Sequence, residues 1–498
     1  MQTTRHITTN HARTRPTVAA ALALAFATAL PSCKTYAPKP LTAEEARARF
    51  LSRTATDEAL ASFRATLEGG ADATNGAANR AATAIDASDG ISLAEAELVG
   101  SVFNAGVRRA RLAASVAAAG AENAGLLDDP AVGVDLSRLF DGGGDAWEAI
   151  ASVSFSLPLS DRLALDRELA RSAHAAELAR VADAEWRARL EVRRAWIECA
   201  AVAAQRRSLD LFIARLDEVL ELVGLLESRG ELSRIEARIF RVEEASARAQ
   251  AVRVAAELVR AGRALRRAMG LPPDATLSIE PNFAVFAVAA ESLDADGAWR
   301  VPPSIAVAEA NLAAAEKSLA LEVERQYPDL MLGPGYGTQD GSRQFVLGLG
   351  LRLPIFNANR RAIAEAEAGR ELARVSFAAA VEALEADRAD ARTDWQAASA
   401  QRALVESSVL PLAEAQDADL RKLFALGAEI DALVLLDGVQ RQNDARLALV
   451  DALRAESLAA IRLWELGCQS QERAAAPSDS TRPSTPRDGD ISKSESTP

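Results

Sequence analysis

The sequence is poor in the side chains that most often carry chemistry. Among 498 residues there are three cysteines and three histidines, and His6 and His11 lie close to the start of the chain. Three cysteines without a CxxC pair exclude a disulfide framework and a cysteine-based zinc site, and His174 has no second ligand near it in the sequence. No glycine-rich loop stands between a strand and a helix, as a nucleotide site requires. The sequence therefore predicts no enzyme, no metal site and no cofactor.

Aromatic residues and clustered positive charge are also lacking. Aromatics make up 5% of the chain and charged residues 26%, which suits extended helices and coiled coils better than a compact core. Lysine and arginine together number 57 against 70 aspartates and glutamates, giving a net charge of −13. Because a nucleic-acid surface needs a clustered positive face, we expect no nucleic-acid partner.

One apolar run lies near the start of the chain. Val18–Leu30 follows three arginines and is too short for an ordinary membrane-spanning helix, but it suits a secretory signal. It ends in Leu30-Pro31-Ser32-Cys33, which resembles the bacterial lipobox. We therefore expect residues 1–32 to be a signal peptide and Cys33 to carry a lipid anchor, with Lys34 favouring the outer membrane. A plain secretory signal followed by an incidental cysteine is the alternative.

The segments flanking the main part of the chain are simple. Residues 33–90 are predicted to hold one helix over Leu41–Leu67, begun by a capping box of Thr42 and Glu45, and then a small, polar linker. Residues 469–498 are rich in serine, threonine, proline and charge without apolar periodicity, which predicts a disordered tail.

The remaining chain repeats its landmarks at a nearly constant spacing. Four pairs stand 196 to 198 positions apart: Pro158 and Pro354, Gly230 and Gly427, Gly270 and Gly467, and Asp129-Pro130 and Tyr327-Pro328. Four landmarks in one register indicate two structural copies of one unit. We place repeat 1 at residues 91–273, a connector at 274–302 and repeat 2 at 303–468.

Each repeat holds two segments with strict alternation of apolar and small or polar residues. The predicted strands are about 131–140 and 148–159 in repeat 1, and about 329–337 and 344–355 in repeat 2. About ten residues is the length that a tilted strand needs to cross a bilayer. Four strands cannot close a barrel alone, so a membrane role demands that several chains share one barrel. Two soluble hairpins packed on helices remain the alternative at this point.

Long helices follow the strands. Each repeat opens with a helix, near Ser92–Ala124 and Ser304–Arg325, and its long helices are predicted at about 160–228 and 232–269 in repeat 1, and at about 359–425 and 430–467 in repeat 2. Asp161 is a candidate cap, and Pro411 predicts a kink. Helices of this length exceed a compact domain and need partners along their surfaces, so we expect coiled coils.

Taken together, these residues resemble the outer-membrane efflux protein family, the TolC-like exit ducts. The resemblance covers about Ile91 to Gly467 and rests on Tyr327-Pro328-Asp329-Leu330, on Leu353-Pro354-Ile355-Phe356-Asn357 before a helix, and on the hairpin-turn glycines. Family members have an aromatic residue three positions before the second-copy glycine, where Phe424 stands. They favour a hydroxyl three positions after the glycine and an acid six after. Copy one has Ser233 and Glu236 there, whereas copy two departs with Ile430 and Leu433.

The resemblance implies a mainly α-helical homotrimer with a small β part. Each chain would give four strands to a 12-stranded β-barrel, and the long helices would continue the pore as a periplasmic α-barrel. Pro158 and Pro354 would mark the strand-to-helix junctions. The implied partners are a periplasmic adaptor, an inner-membrane pump and outer-membrane lipid. The implied function is a passive exit duct of a tripartite pump for small molecules or metal ions. A type I secretion channel for proteins and a periplasmic coiled-coil scaffold are the alternatives.

Charged residues at the hairpin tips are the candidate functional residues. Together with the positions that the resemblance indicates, the candidate residues at the hairpin tips are Arg229, Gly230, Glu231, Ser233 and Glu236 in copy one, and Phe424, Gly427, Glu429 and Asp431 in copy two. Charges at a tip can bridge neighbouring chains and hold an aperture shut, or they can be ordinary solvated turn residues. We expect the first.

Overall fold

The structure is a computed structural model that describes residues 36–54, 90–138, 147–279, 281–283, 299–339, 342–425 and 432–468. The chain divides into two units, Met1–Ser52 and Arg53–Pro498, and each is described by itself. The expected signal peptide, Cys33, most of the linker and the tail at 469–498 lie outside the described residues.

The first unit contributes one short helix, α1, Ala43–Leu51. The Thr42 hydroxyl accepts from the Glu45 amide at 3.2 Å, and the Glu45 carboxylate accepts from the Thr42 amide at 3.1 Å, which is the expected capping box. The helix ends at Leu51 with Ser52 as its C-cap, so the prediction of one continuous helix to Leu67 was wrong. Because the Ser52 amide and hydroxyl bond back to the last turn, the free carbonyls are satisfied there.

The second unit opens with two helices where we expected one. They are α2, Leu93–Phe103, and α3, Ala105–Glu122. Asn104 separates them, since its backbone leaves the helical region and its side chain caps the Gly106 amide at 2.8 Å. A short polar residue that competes for the backbone amide favours such a break.

The four strands form one antiparallel sheet in chain order. They are β1, Ala131–Arg138, β2, Trp147–Pro158, β3, Asp329–Gln339, and β4, Ser342–Leu351. β2 of repeat 1 pairs with β3 of repeat 2, so the two repeats meet in the middle of the sheet. Consequently β1 and β4 are its two edges. β4 ends earlier than expected, and Leu353 and Ile355 follow it in a non-strand segment.

Repeat 1 continues into a coiled-coil hairpin. Its helices are α4, Arg162–Arg229, and α5, Arg234–Ala268. Asp161 precedes α4 without a side-chain capping bond, because its backbone lies outside the extended region that a capping residue needs. That expectation was wrong. At 68 residues, α4 is roughly 100 Å long by helix rise.

Repeat 2 has the same order with one interruption. Its helices are α6, Pro303–Glu324, α7, Arg360–Leu404, α8, Leu410–Ala425, and α9, Ala432–Glu465, with a π-helical turn over Val405–Val409. The interruption lies just before Pro411, where we expected a kink. Proline cannot donate to the carbonyl of Ser407, and its ring crowds that carbonyl, so the helix widens by one residue.

We expect Pro411→Ala to convert the π-turn into regular α-helix. Alanine is the residue at the equivalent position of copy one, Ala214, which lies in uninterrupted α4. The restored bond to the Ser407 carbonyl should slow amide hydrogen exchange over 405–409. The adjacent substitution Leu412→Ala is the control, because it leaves the proline in place. A π-turn that persists in Pro411→Ala would show that another contact holds it.

The buried core consists of clusters within each repeat, and two of them also include residues of α9. One cluster packs α2 against α4 and the end of α5 around Val99, Trp196 and Met269, and it includes Ile461 of α9. A second cluster runs along the α4–α5 hairpin around Leu216 and Phe240. Beyond the core, the described helices pack side by side in the order α5, α4, α9 and α7–α8. None of the helices within the described ranges is long and apolar enough to span a membrane.

Candidate functional site

One face of the sheet is apolar and open. Opposite partners on this face form a rung across all four strands, for example Val134, Ala151, Tyr336 and Phe345. Its exposed large side chains are Val132, Val134, Leu136, Phe155, Tyr336, Phe345, Leu347, Leu349 and Leu351. Apolar side chains this exposed over a whole sheet face need an apolar medium.

The other face carries mainly small and polar residues, with Met331 and Val346 as its exposed large apolar side chains. One rung on this face holds Gly133, Ser152, Gly335 and Val346, and Gly333 pairs with Gly348. A side chain added at Gly348 would meet only ordinary contacts, at 3.4 Å and beyond. The two faces of the sheet therefore differ in polarity, and the polar face has room for a side chain at Gly333 and Gly348.

Arginine–aspartate pairs join the strands to the helices. Arg162, at the start of α4, pairs with Asp329 at 3.1 Å and with Asp128 at 3.7 Å. Pro158 is the last residue of β2 and stands opposite Asp329. Pro354 lies between β4 and α7, beside a recess of about 690 Å³. The two prolines thus mark the end of the second strand of each repeat, Pro158 as its last residue and Pro354 three residues beyond it.

The tip of the first hairpin is a tight turn. Gly230 ends α4 with φ +77°, a left-handed conformation that glycine adopts without strain. Arg229 and Glu231 on either side are exposed, and within the described part of the chain neither forms an ion pair. Ser233 and Glu236 form a capping box that begins α5, with the Glu236 carboxylate accepting from the Ser233 amide at 2.9 Å. Ser233 and Glu236, where the family favours a hydroxyl and an acid, thus have a local structural role.

The capping box makes the tip sensitive to acid. The amide of Ser233, and then its hydroxyl, hold the pKa of the Glu236 carboxyl below its usual value. Glu236 therefore stabilises the start of α5 above the usual carboxyl pKa, and this contribution is lost as the pH falls through the lowered value. We expect the protection factors of the amides over 233–237, which correct for the slower intrinsic exchange in acid, to fall on acidification more in the wild type than in Glu236→Gln, because glutamine does not titrate. Identical pH profiles would contradict this.

The tip of the second hairpin is only partly described. Phe424 lies in the last turn of α8, whereas Gly427, Glu429 and Asp431 lie outside the described residues.

A link between the hairpins was missed in the sequence. Asp417 of α8 is buried, and its carboxylate lies 3.5 Å from Arg215 of α4 and 2.6 Å from Arg421. Comparison of the two repeats indicates this link, because copy one has Leu220 at the position equivalent to Asp417. An acid in place of a leucine that packs against the core indicates a specific partner.

An aromatic cluster further from the tips also joins the repeats. The rings of Trp186 in α4 and Trp464 in α9 have centroids 3.9 Å apart, and the Arg193 guanidinium lies 3.6 Å from the Trp464 ring. Arg193 also pairs with Glu97 of α2. Tryptophan in a chain so poor in aromatics was a signal that could have pointed to this contact.

No chemical site is visible in the described part of the chain. No group of three or more His, Cys, Asp or Glu side chains is placed there to hold a metal ion. Cys199 and Cys468 are free and buried, and burial raises the pKa of both thiols, which makes them unreactive.

These features match a known family and fold. Residues 301–466 match the family described as outer membrane efflux protein. The matched segment is nearly the whole of the second copy. No curated protein matches the chain. Recognition of this family from the sequence is confirmed. The family consists of conduits and not of enzymes, in line with the expectation of no enzyme.

Solved outer-membrane channels share the fold. The outer-membrane channel OprN is 17% identical, with a TM-score of 0.65 over 76% of this chain and 90% of its own. VceC from Vibrio cholerae is 19% identical, with a TM-score of 0.64 over 76% and 96%. The Campylobacter jejuni channel CmeC is 12% identical, with a TM-score of 0.63 over 76% and 86%. The predicted fold class, two repeats of strand hairpin plus long helices, is confirmed for the single chain.

Proposed function

We propose that three copies of this chain form a passive exit duct through the outer membrane, serving a tripartite efflux pump. The observation that carries the proposal is a four-stranded sheet with one apolar face, one polar face and two edges without a neighbouring strand in the described chain. Bare edges cannot stay in lipid, because each unpaired amide or carbonyl there costs several kcal/mol. Pairing β4 of one copy with β1 of the next removes every edge in a closed 12-stranded ring.

The long hairpins continue the duct below the membrane. α4 alone extends roughly 100 Å by helix rise, so the tips would reach deep into the periplasm. There they would meet a periplasmic adaptor and, through it, an inner-membrane pump that supplies the energy. The cargo would be small molecules or metal ions, and the polar sheet face with its glycines suits a wide passage.

A lipid anchor at Cys33 fits this location. An acyl chain contributes roughly 0.8 kcal/mol per buried CH₂ group, so it would hold the N-terminus at the membrane. Mass spectrometry of the mature N-terminal peptide tests it, and an unmodified Cys33 would contradict it.

Two other functions are separable from this one. A type I secretion channel would have the same fold but pass an unfolded protein. A periplasmic coiled-coil scaffold would need no apolar sheet face, and the exposed face of β1–β4 therefore argues against it.

Deleting the gene in its host and measuring accumulation of a fluorescent efflux substrate tests export. Accumulation that rises on deletion, and falls again with the wild-type gene, supports the duct. Unchanged accumulation together with loss of one secreted protein would favour secretion.

The tip charges are proposed to hold the closed state between copies. We expect joint neutralisation of Arg229, Glu231, Glu429 and Asp431 to raise single-channel conductance in planar bilayers, because paired charges at the aperture are removed. High salt should raise wild-type conductance beyond the bulk-conductivity change for the same reason. Neutralising Arg238, an exposed arginine further up α5, is the control. Unchanged conductance in the fourfold variant would contradict the proposal that these charges hold the closed state.

A further inference from the structure

Arg352 stands at the end of the polar face of the sheet. It directly follows β4, is exposed, and forms no hydrogen bond or ion pair within the described part of the chain. With Ser156 and Met331, which are opposite partners on the polar face, it lines the recess of about 690 Å³ beside Pro354. Arg352 therefore lies on the side of the sheet that we assign to the lumen.

Both acids that line the recess are turned toward another cation. Arg162 of α4 lies 3.1 Å from Asp329 and 3.7 Å from Asp128. Neither acid forms an ion pair with Arg352 among the residues that the structure describes. Because a guanidinium keeps its charge at every pH at which proteins work, Arg352 is a fixed cation that meets the solvent of the lumen.

The start of α7 adds to the positive potential of the recess. Asn359, which precedes α7 and lines the recess, makes no capping bond to the first turn, because its side-chain amide donates to Glu322 at 2.8 Å. The first turn begins with Arg360 and Arg361 and holds no acid, although the helix dipole favours acids there. A local choice that opposes the dipole is expected where the charge itself has a use.

An acid on the same sheet face lies too far away to cancel this charge. Asp135 of β1 shares a rung with Gln344 of β4, through the two strands between them. Gln344 stands eight residues before Arg352, which is about 26 Å at the rise of a strand. Since the Debye length is about 10 Å at 0.1 M salt, the two charges act separately on a passing ion.

We propose that Arg352 is a specificity-determining residue of the duct. Three copies place a ring of three guanidiniums at the base of the barrel, and this ring favours anionic solutes over cationic ones. The inference rests on the proposed function, because it needs three copies with the polar face turned inward. Rings of arginine or lysine select anions in pores by the same attraction. Copy two alone supplies this charge, since copy one has Ser156 at the equivalent position.

Reversal potentials of the full-length protein in planar bilayers, under a potassium chloride gradient, test the ring. Arg352→Ser, which copies the residue of copy one, should lower the chloride-to-potassium permeability ratio about twofold for three charges at roughly 10 Å, and by more in dilute salt. Arg352→Lys should keep the wild-type ratio. The control is Arg343→Ser, which removes the same charge from the opposite face of β4 and should leave the ratio unchanged.

Gly350→Asp is a second probe, and it keeps Arg352 in place. It adds an acid on the same face, about 7 Å along the strand, where a Cβ would meet Met331 in ordinary contact at 3.4 Å. It should shift the ratio in the same direction as Arg352→Ser, and it decides the question if Arg352→Ser fails to form trimers.

The outcomes separate this inference from the proposed function. An unchanged ratio in Arg352→Ser, with trimer bands and conductance like the wild type, would overturn the ring and leave the duct standing. A shift of equal size in Arg343→Ser would also overturn it, because the effect would not depend on the face of the sheet. If the wild-type protein forms no channels at all, the proposed function itself fails.

Discussion

Leu347→Lys should abolish stable assembly in the outer membrane, whereas Gly348→Lys should not. The two positions are neighbours near the middle of β4 and lie at nearly the same depth, but their side chains project from opposite faces of the sheet. A lysine on the lipid face near the bilayer midplane costs roughly 2–4 kcal/mol, and a trimer carries three of them.

The control substitution has room to be accommodated. A Cβ at Gly348 would meet its nearest atoms at 3.4 Å or more, on the face that we assign to the lumen. We expect Gly348→Lys to leave trimers intact and to lower conductance, because it narrows the passage and adds charge. Heat-modifiable trimer bands in detergent-extracted membranes report the first effect and planar bilayers the second. Equal trimer yields for the two variants would contradict the assignment of faces.

Gly467→Ala should destabilise the fold far more than Gly230→Ala. Both glycines have positive φ, at +94° and +77°. A Cβ at Gly467 would lie 2.1 Å from the carbonyl oxygen of Arg300, whereas a Cβ at Gly230 would meet no atom within 4 Å. The left-handed backbone alone costs a residue with a side chain roughly 1–2 kcal/mol.

The extra cost at Gly467 comes from the contacts that it closes. Its carbonyl accepts from the Arg300 amide at 2.8 Å, and Arg388 donates to the carbonyls of Leu466 and Arg300. Overpacking adds roughly 1–3 kcal/mol, so Gly467→Ala should lower the free energy of unfolding by about 3 kcal/mol or more. Denaturant unfolding of the detergent-solubilised variants measures both. Equal losses would show that the close approach at Gly467 relaxes freely.

The sequence predicted the repeat, the four strands and the long helices because these follow periodic rules. The alternation along the strands and the uninterrupted helical stretches depend on local chemistry. Glycine and proline residues recur at one spacing in both copies and mark the ends of the elements. The predictions that were wrong have a different origin. The break at Asn104 depends on its side chain capping the Gly106 amide, and the absent cap at Asp161 depends on its backbone angles, neither of which the apolar periodicity specifies.

Contacts between distant segments could not be derived from local patterns. The Arg215–Asp417 pair joins residues from different repeats, and the contact between Trp186 and Trp464 joins α4 to α9. Nothing local to either segment specifies its partner. Ser233, Glu236 and Phe424 were found through family resemblance and the other tip residues through the repeated glycines, and the structure adds that Ser233 and Glu236 cap α5. Their part in gating stays a prediction.

The copy number of the membrane-extracted assembly tests the central claim most directly. Native mass spectrometry of the full-length protein, extracted from outer membranes in mild detergent, should give a mass of three chains. The protein should also resist extraction by alkaline carbonate, because a closed barrel lies in the bilayer. A single-chain mass, together with release by carbonate without detergent, would contradict a shared barrel and with it the duct.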